Sequence, residues 1–281
     1  MPGTEAAFDF HAASYDSTFT HSETGKRQRK RVHDYLEKKL DAALYKRVLE
    51  LNCGTGEDAI WLARRGHEVT ATDLSQKMID LAERKSAEAK TTIRFQKTSF
   101  GEIASRFAPG SFDCIFSNFG GLNCIDYAAV KKLADDSAIL LRPGGRFIAV
   151  IMGKNCSWEK FYFRLKGDRE NRLRRKKNGG AEVMIGEEKF TTWYYSPAEI
   201  REAFSKQFAF ADNIPVGWAL PPSYLEPRFK NKKNLLAFLH GIENMCSPFS
   251  FAVNRADHFL IDFGRTGAGD ARESGNFGIP Q

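Results

Sequence analysis

From residue 46 onward, short runs of aliphatic and β-branched residues alternate with longer stretches whose apolar positions recur every three or four residues. That alternation is the pattern of strand–helix–strand units around a mainly parallel sheet. Arg47-Val-Leu-Glu-Leu51 reads as a first strand, and Asp58-Ala-Ile-Trp-Leu-Ala-Arg-Arg65 as a helix closed by Gly66, a residue at ease in the left-handed conformation past a helix end. His67–Thr72 forms a second strand. Ser75 can cap a helix running to about Ala89, with Met78, Ile79, Leu81 and Ala82 as its apolar face. Ile93–Gln96 and Phe112–Ser117 read as third and fourth strands. Asp126 opens a further helix through Val130, Leu133 and Ala134, and Arg142-Pro-Gly-Gly145 turns the chain into a fifth strand, Arg146–Met152.

After Met152 the rhythm breaks. Residues 153–180 are helical and basic, and 182–195 read as two strands hinged near Gly186. Pro197 starts a helix to about Lys206, Phe208–Val216 is a sixth strand, Pro221-Pro-Ser-Tyr-Leu-Glu-Pro227 begins a second excursion, and Asp257–Phe263 is the last strand. The chain thus divides into N-terminal cap helices (1–45), a core (46–152), an inserted basic helix and β-hairpin lid (153–206), the end of the core sheet with the second excursion (207–263), and a flexible tail (264–281).

Composition narrows the class. Of 281 residues, 42% are hydrophobic and 27% charged, which excludes a wholly disordered chain. No apolar run approaches the ~20 residues of a membrane span. The first residues lack the basic start and apolar core of a signal peptide, so a cytoplasmic location is expected. Five cysteines, Cys53, Cys114, Cys124, Cys156 and Cys246, occur without C-x-x-C spacing, against a disulfide framework or zinc site and for reduced thiols. Between Lys160 and Lys177 nine Lys/Arg face two acids, so that segment alone holds the net charge of +7. Such a cluster could meet phosphates or an anionic membrane surface. Base-stacking aromatics are not interleaved with it, and a solvated face is expected, with no nucleic-acid partner.

The chemistry concentrates in Val48-Leu-Glu-Leu-Asn-Cys-Gly-Thr-Gly56, between a strand and a helix, followed 17 residues after Gly56 by Asp73 at the end of the next strand. Glycines there let a backbone approach a ligand beyond the carboxyl ends of the strands. An acid ending the second strand is placed to accept bonds from ribose hydroxyls. Gly54-Thr-Gly-Glu-Asp-Ala59 satisfies the loose dinucleotide fingerprint, so an NAD-dependent oxidoreductase is one reading. Glu50 and Asn52, polar groups in the strand's last turn, instead suit a cationic amino-acid moiety.

These residues resemble the class I S-adenosylmethionine-dependent methyltransferases of the small-molecule type. Asp73-Leu-Ser-Gln-Lys-Met-Ile-Asp-Leu-Ala82 is similar to the family's second motif, Phe112–Asn118 to its fourth strand and Leu141–Ile148 to the turn into its fifth, in the family's order. The resemblance implies an α/β fold with a doubly wound, Rossmann-like sheet, mainly parallel with an antiparallel last strand. It implies S-adenosyl-L-methionine as cofactor and S-adenosyl-L-homocysteine as product. Cofactor contacts then fall on Glu50, Asn52, Gly54, Gly56, Asp73, Leu74, Met78, Ser99, Phe100 and Asn118, with Tyr15 closing over the methionine end. Asn52 stands where the family has a glycine, and can adopt a left-handed backbone. Ser99 stands where the family often has an acid.

The reaction expected is methyl transfer to an oxygen or nitrogen of a small-molecule acceptor, with no metal required. The acceptor pocket is expected among Trp158, Phe161, Tyr162, Phe163, Trp193, Tyr194, Tyr195, Trp218 and Tyr224. His258, at the start of the reversed last strand, and His21 are the candidate bases, since histidine alone exchanges protons near neutrality unaided. An RNA or protein methyltransferase docking through residues 160–177 and a non-catalytic cofactor-binding regulator are the other readings. Acceptor identity and oligomeric state have no signature in the sequence.

Overall fold

The computed structural model describes residues 9, 16, 20, 22–177, 179–185, 188–222, 225, 229, 232–245 and 250–267. Seven strands make one sheet: β1 (Arg47–Leu51), β2 (Glu68–Asp73), β3 (Ile93–Lys97), β4 (Phe112–Ser117), β5 (Leu141–Met152), β8 (Phe208–Val216) and β9 (His258–Arg265). Their spatial order is β3-β2-β1-β4-β5-β9-β8. β1 to β5 pair in parallel, and β9 is antiparallel to both of its neighbours. β8 therefore runs with the first five strands, and β9 is the one reversed strand of the sheet. The winding reverses between β1 and β4, which is where an open α/β sheet takes its ligand.

The alternation of side chains along each strand sorts the core onto two faces. Leu49, Leu51, Ile115 and Phe147 face one layer, with Val130 and Leu133 of α5 (Tyr127–Leu140) and Phe204 of α8 (Pro197–Phe204). Val48, Phe116, Ile148 and Leu260 face the other, against Val32 and Leu36 of α1 (Glu23–Lys39) and Leu62 of α2 (Glu57–Ala63). The helix α1, expected as a cap, is thus a layer of the core. Helix starts follow local chemistry: Ser75 Oγ accepts from Met78 N–H at the head of α3 (Gln76–Glu88), and Ser196 and Glu199 form a capping box on α8 with Pro197 in its first turn.

Several elements depart from the sequence reading. β5 begins at Leu141, five residues early, because Leu141 pairs with Phe112 across a bulge, so Arg142–Gly145 lies within the strand. The single-turn helix α4 (Ile103–Arg106) and a 3-10 turn over Gly121–Cys124 were not legible. The insertion holds α6 (Ser157–Leu165), α7 (Arg169–Leu173), a 3-10 turn (Arg174–Lys176) and the hairpin β6 (Ala181–Ile185) with β7 (Glu188–Thr192). Gly186, the expected hinge, lies outside the described residues. The second excursion contains α9 (Lys233–Met245) and α10 (Ser250–Val253). β9 continues through Gly264 to Arg265, and the Gln207 carbonyl accepts from Thr266 N–H at 3.0 Å and from the Thr266 hydroxyl at 2.9 Å, so the start of the expected tail is held at the sheet. Residues 268–281 lie outside the described residues, as does Cys246; Cys53, Cys114, Cys124 and Cys156 are free thiols.

Candidate active site

At the carboxyl end of β1 the chain turns through Asn52-Cys-Gly-Thr-Gly56 into α2. Asn52 (φ 45°), Gly54 (φ 53°) and Gly56 (φ 82°) all take left-handed backbone. Asparagine tolerates this better than most L residues, so the turn survives without its usual glycine. A Cβ on Gly56 would stand 2.9 Å from Ala82 Cβ, which is why loop and α3 can meet only at a glycine. Gly54 N–H donates to Asp73 Oδ2 and Ser75 N–H to Asp73 Oδ1, each at 2.9 Å. A carboxylate oxygen has room for a second donor, so Asp73 can order the loop and still accept from a ribose. Burial pushes its carboxyl above the ordinary value, against the pull of those backbone amides.

Glu50 is 1% exposed, and its Oε2 has no hydrogen-bond partner. Burial pushes its carboxyl well up, the charge of Asp58 adds to this, and Arg29 opposes it. An orphaned buried carboxylate oxygen at the strand end beside the glycine turn fits a ligand's ammonium group. The amino-acid end of S-adenosylmethionine supplies one, and its ribose fits Asp73.

The remaining expected contacts divide. The Asn52 side chain bridges strands: Nδ2 donates to the Asn118 carbonyl and Oδ1 accepts from Ser117 Oγ, both at 2.6 Å. It fastens the β1 turn to the end of β4 and leaves the ligand only its backbone. Asn118 Nδ2 donates to Asp58 Oδ2 at 2.8 Å. Met78 is buried, Leu74 and Phe100 are half-buried, and the Ser99 hydroxyl donates to Glu102 Oε2 at 2.7 Å. Tyr15 and His21 lie outside the described residues. Asp16 accepts from Thr55 Oγ1 at 2.7 Å and from Lys85 Nζ at 2.9 Å, which sets Asp16 itself at the glycine turn.

Sequence reasoning missed Arg29 and Asp58. From α1, Arg29 pairs with Asp58 and lies over the Phe119 ring, 5.3 Å from its centroid. Asp58 also bonds His33 Nε2 at 2.6 Å; burial works against its charge, but Arg29 and His33 hold the carboxyl well below the usual range. The loop, Arg29, Asp58, Asn118 and Phe119 line a pocket of about 20 Å³, which shares Arg29 and Glu57 with a cleft of about 500 Å³ between α1 and α2. Nothing local in the sequence marks Arg29 among the cations of an amphipathic helix.

His258 stands at the same edge, paired across the sheet with Met152 and Val216. It is 7% exposed, and its ring meets Phe119 edge-on at 5.6 Å. Its Nδ1 lies 3.2 Å from Asp257 Oδ2, without hydrogen-bond alignment. The bend before β9 turns Asp257 toward the imidazole. Its carboxyl is held far down by His258 and Arg175, in spite of burial.

Arg175 corrects the reading of the basic segment as surface. It is 7% exposed, and all five of its N–H donors are engaged: Nε and Nη2 with Glu159 Oε2 (3.0 and 2.8 Å), Nη2 with Asp257 Oδ1 (2.6 Å), and Nη1 with the carbonyls of Gly153 (3.1 Å) and Asp257 (3.0 Å). Arg174 binds the same glutamate from the other side, at 2.8 and 2.9 Å. Of the expected pocket aromatics, Tyr194 lies under the Arg175 guanidinium at 4.9 Å, Tyr195 belongs to the core, and Trp158 Nε1 donates to the Ala219 carbonyl at 2.9 Å. Tyr224 lies outside the described residues.

Comparison with known proteins falls on the same segment. Residues 48–145 match the family model described as a methyltransferase domain. The demethylmenaquinone methyltransferase of Clavibacter sepedonicus is 30% identical over 148 residues, 52% of this chain and 57% of that protein. The ubiquinone biosynthesis O-methyltransferase of Xanthomonas euvesicatoria is 30% identical over 119 residues, 40% of this chain and 45% of that protein. The chain thus spans about half the length of the curated relatives it matches. Among solved structures, an S-adenosylmethionine-dependent methyltransferase of Methanosarcina mazei superposes with a TM-score of 0.57 at 18% identity, covering 84% of this chain and 97% of that one. Geranyl diphosphate C-methyltransferase of Streptomyces coelicolor, solved with Mg2+, geranyl diphosphate and S-adenosylhomocysteine, gives 0.55 at 14% identity, covering 85% and 81%. Motifs, strand order and the match to the methyltransferase-domain model coincide on residues 48–145, and the fold is that of the S-adenosylmethionine-dependent methyltransferases of known structure.

Proposed function

We propose that this chain transfers the methyl group of S-adenosylmethionine to an oxygen or nitrogen of a small-molecule acceptor, with His258 taking the acceptor's proton. The observation that carries the reading is the presence at one sheet edge of two complementary sets: Glu50, the glycine turn and Asp73 on one side, and the buried His258–Asp257 pair, in ring contact with Phe119, on the other. Glu50 Oε2 holds the ammonium of the amino-acid end, and Asp73 the ribose hydroxyls. When bound, the cofactor supplies a methyl group made electrophilic by its positive sulfur. Asp257 beside Nδ1 favours the tautomer with its proton there, leaving Nε2 to accept. His258 Nε2 would take the proton that the acceptor loses as it receives the methyl group, and the electron pair of the broken carbon–sulfur bond would leave with S-adenosylhomocysteine. Phe119 (φ 40°), held in a conformation costly for a non-glycine residue, links the two sets, its ring centroid 5.3 Å from the Arg29 guanidinium and 5.6 Å from the His258 ring.

The test is calorimetric titration of the full chain with S-adenosylhomocysteine, followed by transfer of labelled methyl to a panel of phenols, carboxylic acids, amines and RNA. Binding with transfer to a small acceptor supports the reading. Absence of binding overturns it, transfer to RNA alone moves the acceptor to a polymer, and binding without transfer to anything leaves a cofactor-sensing protein.

A further inference from the structure

The insertion sorts its cations by burial. Arg174 and Arg175 turn inward to Glu159 and Asp257. Arg164, Lys166, Arg169, Lys176 and Lys177 are exposed and Arg172 half-buried, and among the described residues Lys177 is the one of these with a carboxylate within 4 Å, that of Glu170. On the same segment three large apolar side chains stand in water: Phe161 is 58% exposed, Leu165 72% and Leu173 40%. Phe161 and Leu165 are four residues apart on α6 and share one face. One exposed leucine needs no explanation, but three such residues ringed by cations on one short segment make the pattern of a helix that lies in a membrane interface.

We propose that α6, α7 and the turn after them dock on an anionic phospholipid surface, with Phe161, Leu165 and Leu173 sinking to the level of the acyl chains and Arg164, Lys166, Arg169, Arg172 and Lys176 meeting the headgroup phosphates. The apolar residues decide between polyanions. A nucleic acid would satisfy the cations, but it stacks bases on aromatic faces and has no use for Leu165 and Leu173. The contact is peripheral, since no helix among the described residues is long and apolar enough to cross a membrane. Charge complementarity sets the kind of lipid, because each outward cation gains only where the surface is negative.

The test is co-sedimentation of the full chain with vesicles of phosphatidylcholine alone and with vesicles in which about a third of the lipid is phosphatidylglycerol, a content that gives a strongly negative surface. Binding is expected to the second kind only, and to weaken as salt is raised. Phe161→Ser with Leu165→Ser should lower it about tenfold or more, and Arg169→Glu, Arg172→Glu and Lys176→Glu together should abolish it. Unchanged affinity for S-adenosylhomocysteine certifies that each variant is folded. Failure of the wild-type chain to bind the anionic vesicles overturns the proposal. So does binding that the serine variant retains in full, which would mark a general polyanion surface without insertion.

Discussion

Replacement of Glu50 by glutamine separates what the carboxylate does for the ligand from what it does for the fold. The side chain keeps its shape, and its Oε2 atom has no hydrogen-bond partner to lose. Burial holds the carboxyl well above its ordinary value, so in the absence of ligand the ionised form opposes folding. A raised acid binds its proton more tightly folded than unfolded. Its penalty is therefore absent below the unfolded value, about 4.3, and grows as pH rises toward the folded value. The glutamine variant without ligand should be the more stable protein at pH 7 and equal to wild type near pH 4, as read by paired urea melts. Toward S-adenosylhomocysteine the sign reverses. A hydrogen bond to a charged group contributes about 2–3 kcal/mol, so calorimetry should show affinity falling about 30- to 150-fold. A variant that gained stability yet bound the ligand as well as wild type would refute the assignment of Glu50 to the ammonium.

Three further outcomes follow from contacts already described. His258→Gln should lower turnover roughly 10²-fold for weakly acidic acceptors and less for acceptors that ionise unaided, with affinity for S-adenosylhomocysteine intact; equal losses for both kinds of acceptor would reduce His258 to a wall of the pocket. Arg175→Met leaves Glu159 and Asp257 buried without their shared cation, and should cost about 3–5 kcal/mol in urea unfolding, partly recovered by adding Asp257→Asn; a loss under about 1 kcal/mol would contradict the buried network. Gly121→Ala would set a Cβ 2.1 Å from the Asn52 side chain and should destabilise by about 1–3 kcal/mol, whereas the same change on an Asn52→Gly background should be nearly neutral, so additive losses in unfolding would rule out the clash.

Where a signal was local, the sequence was a good guide. Short aliphatic and β-branched runs marked β1 to β4, and Ser75, Asp126 and Pro197 marked helix starts, because caps and apolar runs act over four or five residues. Asn52 in a glycine's place was readable for the same reason, since a backbone angle belongs to one residue. The bulge that lengthens β5 was not, because it depends on pairing with Phe112, some thirty residues away by count of the register. The partners of the site residues were still further from view. Glu159, Arg175 and Asp257 meet only after an insertion and a reversed strand have folded together, and in the sequence Arg175 is one cation among nine. Charge patterning reports the average fate of such a run, a solvated face, and tertiary structure took one or two members out of it.

The five bonds of Arg175 join α6, the end of β5 and the start of β9 at one guanidinium. A moving flap turns about a place that few bonds cross, and this is the reverse. Swinging the insertion away would carry Glu159 and Arg175 off together and strand the ionised carboxylate of Asp257 in a dry interior, a cost that holds the insertion against the sheet. An acceptor bound beside His258, as proposed, would therefore meet masonry already set. Little ordering would be owed on that side on binding, and selectivity there would be a matter of shape fixed in advance.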